Sequence, residues 1–315
     1  MARYLLTRLG EMVAVMLAVS FLVYLALEVN GASVAVKVLG QFSTEDQRAR
    51  WLEEYGYNRP FLVRYFAWLW DFVNLRWGQS ILFRDDVITI LIPRLEKTAI
   101  LAGLTFATMV PASFILGILA GMREGSATDR AISFFSVFTT SVPEYASAVF
   151  FSAIFVFALG WLPGASTGTM GFAWNEMVLP VMVMAVYDIG YLARITRASM
   201  AEVMVQPYIR TALMKGASPA RIVLRHALRN AMVAPITVIM LQIPWLVSGV
   251  IVVEVFFAYK GFGTLIYEAC LNSDIALIEA CAIVSVFIIV STQFLSDLLY
   301  TLLNPRIRAS LKGAA

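Results

Sequence analysis

Thr98-Ala-Ile-Leu-Ala-Gly-Leu-Thr-Phe-Ala-Thr-Met-Val-Pro-Ala-Ser-Phe-Ile-Leu-Gly-Ile-Leu-Ala-Gly-Met122 carries no charge anywhere between Lys97 and Arg123. A helix that crosses a bilayer needs about 20 mainly apolar residues, because lipid offers its backbone no hydrogen bonds. This stretch meets that requirement outright, and others flank it. One runs from about Leu9 to Val29, with Glu11 and Glu28 near its ends. A third begins near Ala131, contains Pro143-Glu144 and continues to about Leu159. A shorter fourth covers Met177 to Ala193 and carries Asp188; a fifth, from about Met232 to Phe257, contains Pro235, Pro244 and Glu254. The sixth runs from about Ala280 to Leu303 and stops at Asn304-Pro305, since proline cannot continue a helix. The first stretch is too long for a signal-peptide core and lacks a clean A-x-A site, so it reads as a retained helix.

Composition agrees. Of 315 residues, 60% are apolar and 14% charged, against roughly 45–50% and about 25% in soluble domains. One water-soluble core of this size cannot hide that excess. A disordered chain, a disulfide scaffold and a nucleic-acid reader are excluded. The net charge of +3 implies no polyanionic partner. Cys270 and Cys281 make no metal motif; they pair only if both face an oxidising compartment, and otherwise stay free apolar thiols.

Lys and Arg in short loops set the orientation. With the N-terminus inside, the inner segments hold Arg3, Arg8, Arg123, Arg130, a cluster from Arg194 to Arg229, and Arg306, Arg308 and Lys312. The short outer loops near 160–176 and 258–279 hold only Lys260. Both termini are thus expected in the cytoplasm, and segment 30–97 outside. In that segment Ser43 and Asp46 have capping-box spacing, and Gly56 suits a helix stop. Pro60 opens an aromatic stretch with Phe61, Tyr65, Phe66, Trp68, Trp70 and Phe72, which either lies on the outer leaflet or packs as core.

The loop between spans four and five is the most informative. It sets Arg194, Arg197, Arg210, Lys215, Arg221, Arg225 and Arg229 against one acid, Glu202. The positive-inside rule explains the charge. It does not explain the punctuation: Pro207 suits a first helical turn, and Gly216 followed by Ser218-Pro219 suits its end. The helix between them offers Tyr208, Ile209, Ala212 and Leu213 among cations, as a helix that docks into a groove of a cytoplasmic partner would.

This loop resembles the coupling motif of ABC-importer permeases, Glu-Ala-Ala, three residues, then glycine. Tyr208-Ile-Arg-Thr-Ala-Leu-Met-Lys-Gly-Ala-Ser and Arg225-His-Ala-Leu-Arg-Asn-Ala are similar to the dipeptide/oligopeptide/nickel permease version. Ile92-Pro-Arg-Leu-Glu-Lys-Thr98, Ser141-Val-Pro143, Glu254-Val-Phe-Phe-Ala-Tyr-Lys-Gly-Phe-Gly263 and Asn304-Pro-Arg-Ile-Arg308 extend the resemblance, in order, over nearly the whole chain. Departures are Arg210-Thr211 for Glu-Ala, Gly31-Ala-Ser33 for a common Gly-Asp-Pro, and Leu75-Arg-Trp-Gly78 for Gly-Asp-Leu-Gly.

The resemblance implies an all-α integral membrane protein with six transmembrane helices and the type I ABC importer transmembrane-domain fold. Its parts would be a first helix (1–29), a periplasmic segment (30–97), a core (98–304) holding the coupling loop 194–231, and a cytoplasmic tail (305–315). It also implies partners: a second homologous permease, two cytoplasmic ATPases carrying ATP and Mg, and a periplasmic binding protein, all at a bacterial inner membrane. The chain itself has no phosphate-binding Gly-x-x-x-x-Gly-Lys-Ser/Thr loop, so no cofactor or catalysis is assigned to it. The expected coupling element is Tyr208, Ile209, Arg210, Thr211, Ala212, Leu213, Lys215, Gly216, Ala217 and Ser218.

Ionisable groups at a span centre cost about 2.5–3.5 kcal/mol on insertion scales, so they face a cavity or a partner. Glu144 is the first candidate for the substrate path, followed by Asp188, Gln242 and Glu254; the alternative for each is an inter-helix or inter-subunit hydrogen bond. An ion-gradient-driven secondary transporter would explain the acids, but no internal repeat is visible and the basic loop stays unexplained. An intramembrane enzyme lacks a Ser–His pair, since the one histidine, His226, lies in the basic loop.

Overall fold

The computed structural model describes residues 2–28, 31–167, 173–248 and 250–303. The stop at Asn304-Pro305, the tail 305–315, Val29 and part of the loop near 160–176 lie outside the described residues. Among the described residues the only strand-like feature is a bridge between Gln79 and Asp86; the rest is helix and turn. In order the helices are α1 Ala2–Glu28, α2 Gly31–Leu39, α3 Glu45–Glu54, α4 Phe61–Val73, α5 Val87–Gly121, α6 Ala127–Ser141, α7 Glu144–Ser152 with a π-helical turn Ala153–Ala158, and α8 Trp174–Met204. They continue as α9 Pro207–Met214, α10 Pro219–Arg221 with a π-helical turn Ile222–Ala227, α11 Leu228–Ala231, α12 Val233–Ser248, α13 Ile251–Phe256, α14 Phe262–Leu271 and α15 Ile275–Leu303.

Among the described residues four helices are individually long and apolar enough to cross a bilayer: Leu6–Glu28, Val87–Gly121, Trp174–Met204 and Ile275–Leu298. Two bent pairs bring the number to six if each is one span. The third expected stretch is the first of these pairs, and it is not one straight helix. α6 and the Glu144–Ala158 segment meet at 104°, because Pro143 drives Val142 out of the helical region to φ −94°, ψ 123°. The fifth differs too. Its helical path starts at Pro219, bends by 53° before Val233, and Glu254 sits on the separate short helix α13.

The chain divides into two compact units. The first comprises residues 1–98 and 260–294. Its core is Val87, Leu91, Phe262, Leu265, Ala269, Leu277, Ala280 and Cys281, with Phe72 and Trp77 packed against it. Asp274, fully buried, ties the turn after Gly78 down: it accepts from Ser80 Oγ at 2.5 Å and from the Leu82 N–H at 3.1 Å. α3 begins with a capping box one residue later than the spacing suggested. Thr44 Oγ1 accepts from the Gln47 N–H, and Gln47 Oε1 accepts from the Thr44 N–H. The aromatic helix α4 packs on α1, with Phe21 against Phe61 and Tyr65, Tyr24 against Trp68, and Tyr65 hydroxyl 2.9 Å from Ser20 Oγ. Phe66 and Trp70 stay exposed. Cys270 is exposed, Cys281 buried, and both are free.

The second unit comprises residues 99–259 and 295–315. α8 is its centre, and glycines let its neighbours approach. A Cβ on Gly117 of α5 would lie 2.7 Å from the Ala193 carbonyl oxygen, and one on Gly121 2.7 Å from that of Arg197. Gly190 of α8 is equally close to α6, where a Cβ would meet the Ser136 carbonyl oxygen at 2.8 Å. Gly117-Ile-Leu-Ala-Gly121 is the small-x-x-x-small pattern by which membrane helices pack backbone to backbone.

Candidate functional site

α8 does not end at Ala193. It continues through Arg194 and Arg197 to Met204, so the first third of the basic loop is a rigid extension of a span. Arg197 is not a free cation for a partner. Its Nε and Nη2 donate to Asp129 Oδ1 and Oδ2 at 2.7 and 2.8 Å, and Nη2 reaches Glu124 at 3.5 Å. Asp129 also accepts from the Gly125 N–H and from Ser133 Oγ, while its own N–H donates to Ser126 Oγ, the α6 cap. A bidentate Arg–carboxylate pair fixes both position and angle, so the turn between α5 and α6 is locked to α8.

α9 then follows. Pro207 occupies the first helical position, and Gly216 ends the helix at φ +77° with the Gly216 N–H donating to the Leu213 carbonyl and the Ala217 N–H to that of Ala212. This is a Schellman stop, which needs a left-handed residue at Gly216. Ile209 and Ala212 are not offered to a partner. They are buried with Met200, Ile222, Val223, Ala227 and Ala231, since apolar residues three apart among charges are the stripe a short helix hides. Tyr208, Arg210, Thr211, Leu213, Met214 and Lys215 form the exposed side. Asn230 Nδ2 donates to the Tyr208 hydroxyl at 2.9 Å, which anchors that ring. Gly216 and Ser218 are exposed and Ala217 half-buried.

Ile209→Ala is expected to loosen α9 by about 2–5 kcal/mol, the usual cost of such a core truncation. Limited trypsin digestion should then cut faster at Arg210 and Lys215 with unchanged membrane abundance.

Three of the four expected path residues come together. Gln242 Nε2 on α12 donates to Asp188 Oδ1 on α8 at 2.5 Å, and Glu144, first residue of α7, lies close enough to Asp188 for their charges to interact. Glu144 Oε1 and Asp188 Oδ2 are buried without a hydrogen-bond partner among the described residues. Glu254 is fully buried on α13, next to Val253 and one turn from Phe257.

Residues 113–309 match the family described as "Binding-protein-dependent transport system inner membrane component". The chain belongs to this family. The permease is 35% identical over 312 residues, covering 98% of this chain and 100% of the relative, to a probable peptide ABC transporter permease protein of Sinorhizobium fredii. It is 29% identical, over 98% of this chain and 99% of each relative, to the oligopeptide transport system permease protein AppB of Bacillus subtilis and the metal-staphylopine import system permease protein CntB of Staphylococcus aureus. Among solved structures it resembles a chain of the inward-facing MetNI methionine ABC transporter at TM-score 0.49 and 16% identity, over 69% of this chain and 97% of that one. It is a permease subunit of a binding-protein-dependent importer and a multi-pass protein of the inner membrane.

Proposed function

We propose that this permease forms half of the translocation path of an ATP-driven importer for peptides. Its α9 is the element that a cytoplasmic ATPase grips. The assembly contains a second, similar permease, two ATPase subunits carrying ATP and Mg, and a periplasmic binding protein; both termini and the loop 194–231 face the cytoplasm. Peptide cargo is favoured by the relatives named for peptides and oligopeptides, and the metal-staphylopine relative marks how far cargo varies at similar identity.

The observation that carries this reading is the construction of α9. Its apolar stripe is fastened inward by Ile209 and Ala212, and its outward side, Arg210, Thr211, Leu213, Met214 and Lys215, is left exposed. A lever needs both. ATPase dimerisation then biases a two-state membrane core through contacts that differ between the states. Glu144, Asp188 and Gln242 form a polar cluster that a charged or amide-bearing solute would pass.

Gly216→Val tests the coupling. A β-branched residue in the left-handed region costs about 1–2 kcal/mol and unmakes the Schellman stop, while nothing within 4 Å obstructs its Cβ. The expected result is an assembled complex with substrate-stimulated ATPase activity and uptake reduced about tenfold, a change of about 1.4 kcal/mol. Gly216→Asn, which tolerates that backbone, should retain most activity. Unchanged uptake in the valine variant removes the lever assignment.

A further inference from the structure

A cavity of about 700 Å3 lies within the unit made of residues 1–98 and 260–294, bounded by α1–α3, the turn after Gly78 and the start of α15. That volume falls in the range of small-molecule sites. Two of its lining residues, Glu28 and Glu279, are only 8% and 5% exposed. A carboxylate removed from water costs several kcal/mol unless it is paired and hydrogen-bonded. Glu28 is provided for. Arg64 Nη1 donates to its Oε2 at 3.2 Å, Arg64 Nη2 donates to its backbone oxygen at 3.1 Å, and the Tyr57 hydroxyl bonds to it as well. Glu279 is not. It bonds to Trp68, but its Oε1 is buried without a partner among the described residues.

The other walls sharpen the chemistry. Trp51 stacks on Tyr55 with centroids 4.6 Å apart and lies 5.3 Å from the Tyr57 ring. The Arg64 guanidinium already stands 4.4 Å from the Tyr57 centroid, so this aromatic side is of the kind that attracts cations and has Trp51 and Tyr55 left for a second one. Arg84 lines the exposed side of the same cavity. Its backbone is held by a hydrogen bond from its N–H to the Ser80 carbonyl at 2.9 Å, and it makes no ion pair among the described residues. The cavity is therefore lined by a buried glutamate with one carboxylate oxygen unpartnered and, on its exposed side, by an unpaired guanidinium.

We infer that this cavity binds a small zwitterion, with a primary ammonium on Glu279 against the aromatic wall and a carboxylate or phosphate on Arg84. A quaternary ammonium fits less well, because it has no N–H to donate to the Glu279 carboxyl group. Charge-assisted hydrogen bonds at both ends favour a ligand that carries both charges. An amino acid or short peptide in solution has this chemistry, and so does the headgroup of an ethanolamine phospholipid. The site is separate from α9 and from the Glu144–Asp188–Gln242 cluster, and it stands whether or not α9 is the coupling element.

The test is equilibrium binding of radiolabelled alanyl-alanine to the transporter purified through the full-length chain and held in nanodiscs of phosphatidylglycerol. Saturable binding is expected, with N-acetyl-alanyl-alanine at least tenfold weaker. Glu279→Gln should weaken alanyl-alanine at least tenfold, and Arg84→Gln, at an exposed position that does not threaten the fold, several-fold. Nanodiscs of phosphatidylethanolamine separate the two sources: lowered peptide affinity there supports a lipid headgroup as the natural occupant, and equal affinity supports a free solute. Absence of saturable binding, equal binding of the acetylated peptide, or wild-type affinity in both variants overturns the inference.

Discussion

Gly190→Leu is expected to remove most folded permease from detergent extracts of the membrane. Even a Cβ at this position would lie 2.8 Å from the Ser136 carbonyl oxygen and also collide with Thr139 Oγ1. The hydroxyl can rotate away, but the backbone oxygen cannot move without shifting α6. A leucine adds further carbons to that overlap, so α6 and α8 must separate. Overpacking of this kind costs about 1–3 kcal/mol and occasionally more; backbone against backbone belongs at the upper end. Gly103→Leu on α5 is the control, since nothing lies within 4 Å of a Cβ there. Size-exclusion profiles and thermal unfolding should show the Gly190 variant aggregated or strongly destabilised, and the Gly103 variant near wild type.

Asp129→Ala is the second large effect. It takes both hydrogen bonds from Arg197, the acceptor from the Gly125 N–H, and the partner of Ser133. Removing one member of a buried pair typically costs about 3–5 kcal/mol, because the other charge is left stranded. The Arg197 side chain is 29% exposed and keeps Glu124 at 3.5 Å, so about 3 kcal/mol, the low end of that range, is expected. Thermal unfolding of the purified permease measures the loss. Adding Arg197→Leu should recover part of it, since the stranded guanidinium is then gone.

Close helix packing around α8 and the Arg197 pairing were only partly legible in the sequence. Gly117-Ile-Leu-Ala-Gly121 was there to be read as a close-packing face, but a search for apolar length passes over glycines. Arg197 looked like one more cytoplasmic cation, because its partner lies 68 residues away and only the folded chain brings them together. Charge also misplaced helix ends. α5 begins at Val87 and runs through Arg94, Glu96 and Lys97, and Arg94 is partly shielded beside Glu268 at 3.5 Å; a rule demanding uncharged residues stops at Lys97.

Local chemistry was the most readable part. Pro60, Pro207 and Gly216 bound their helices where their backbone preferences require. The cap of α3 slipped by one residue because Gln47 is long enough to reach back to the Thr44 N–H, whereas Asp46 is too short to close a box on Ser43. On α9 the apolar pair Ile209 and Ala212 was visible, but whether such a stripe faces a partner or the protein's own π-helical turn is decided by tertiary packing. Pro143 announced a break, yet its 104° angle depends on what α7 packs against.

Cysteine cross-linking from α9 bears most directly on how this permease is driven. In a background with Cys270 and Cys281 replaced by serine, Met214→Cys, on a side chain 82% exposed, is compared with Ala212→Cys, at 9%. If α9 is the ATPase docking element, the residue-214 thiol forms an adduct with a nucleotide-hydrolysing subunit, its yield changes when ATP is added, and the residue-212 thiol forms little. Labelling of the residue-214 thiol by an impermeant reagent from outside intact cells, or a complex in which it never joins an ATPase, contradicts that role for α9.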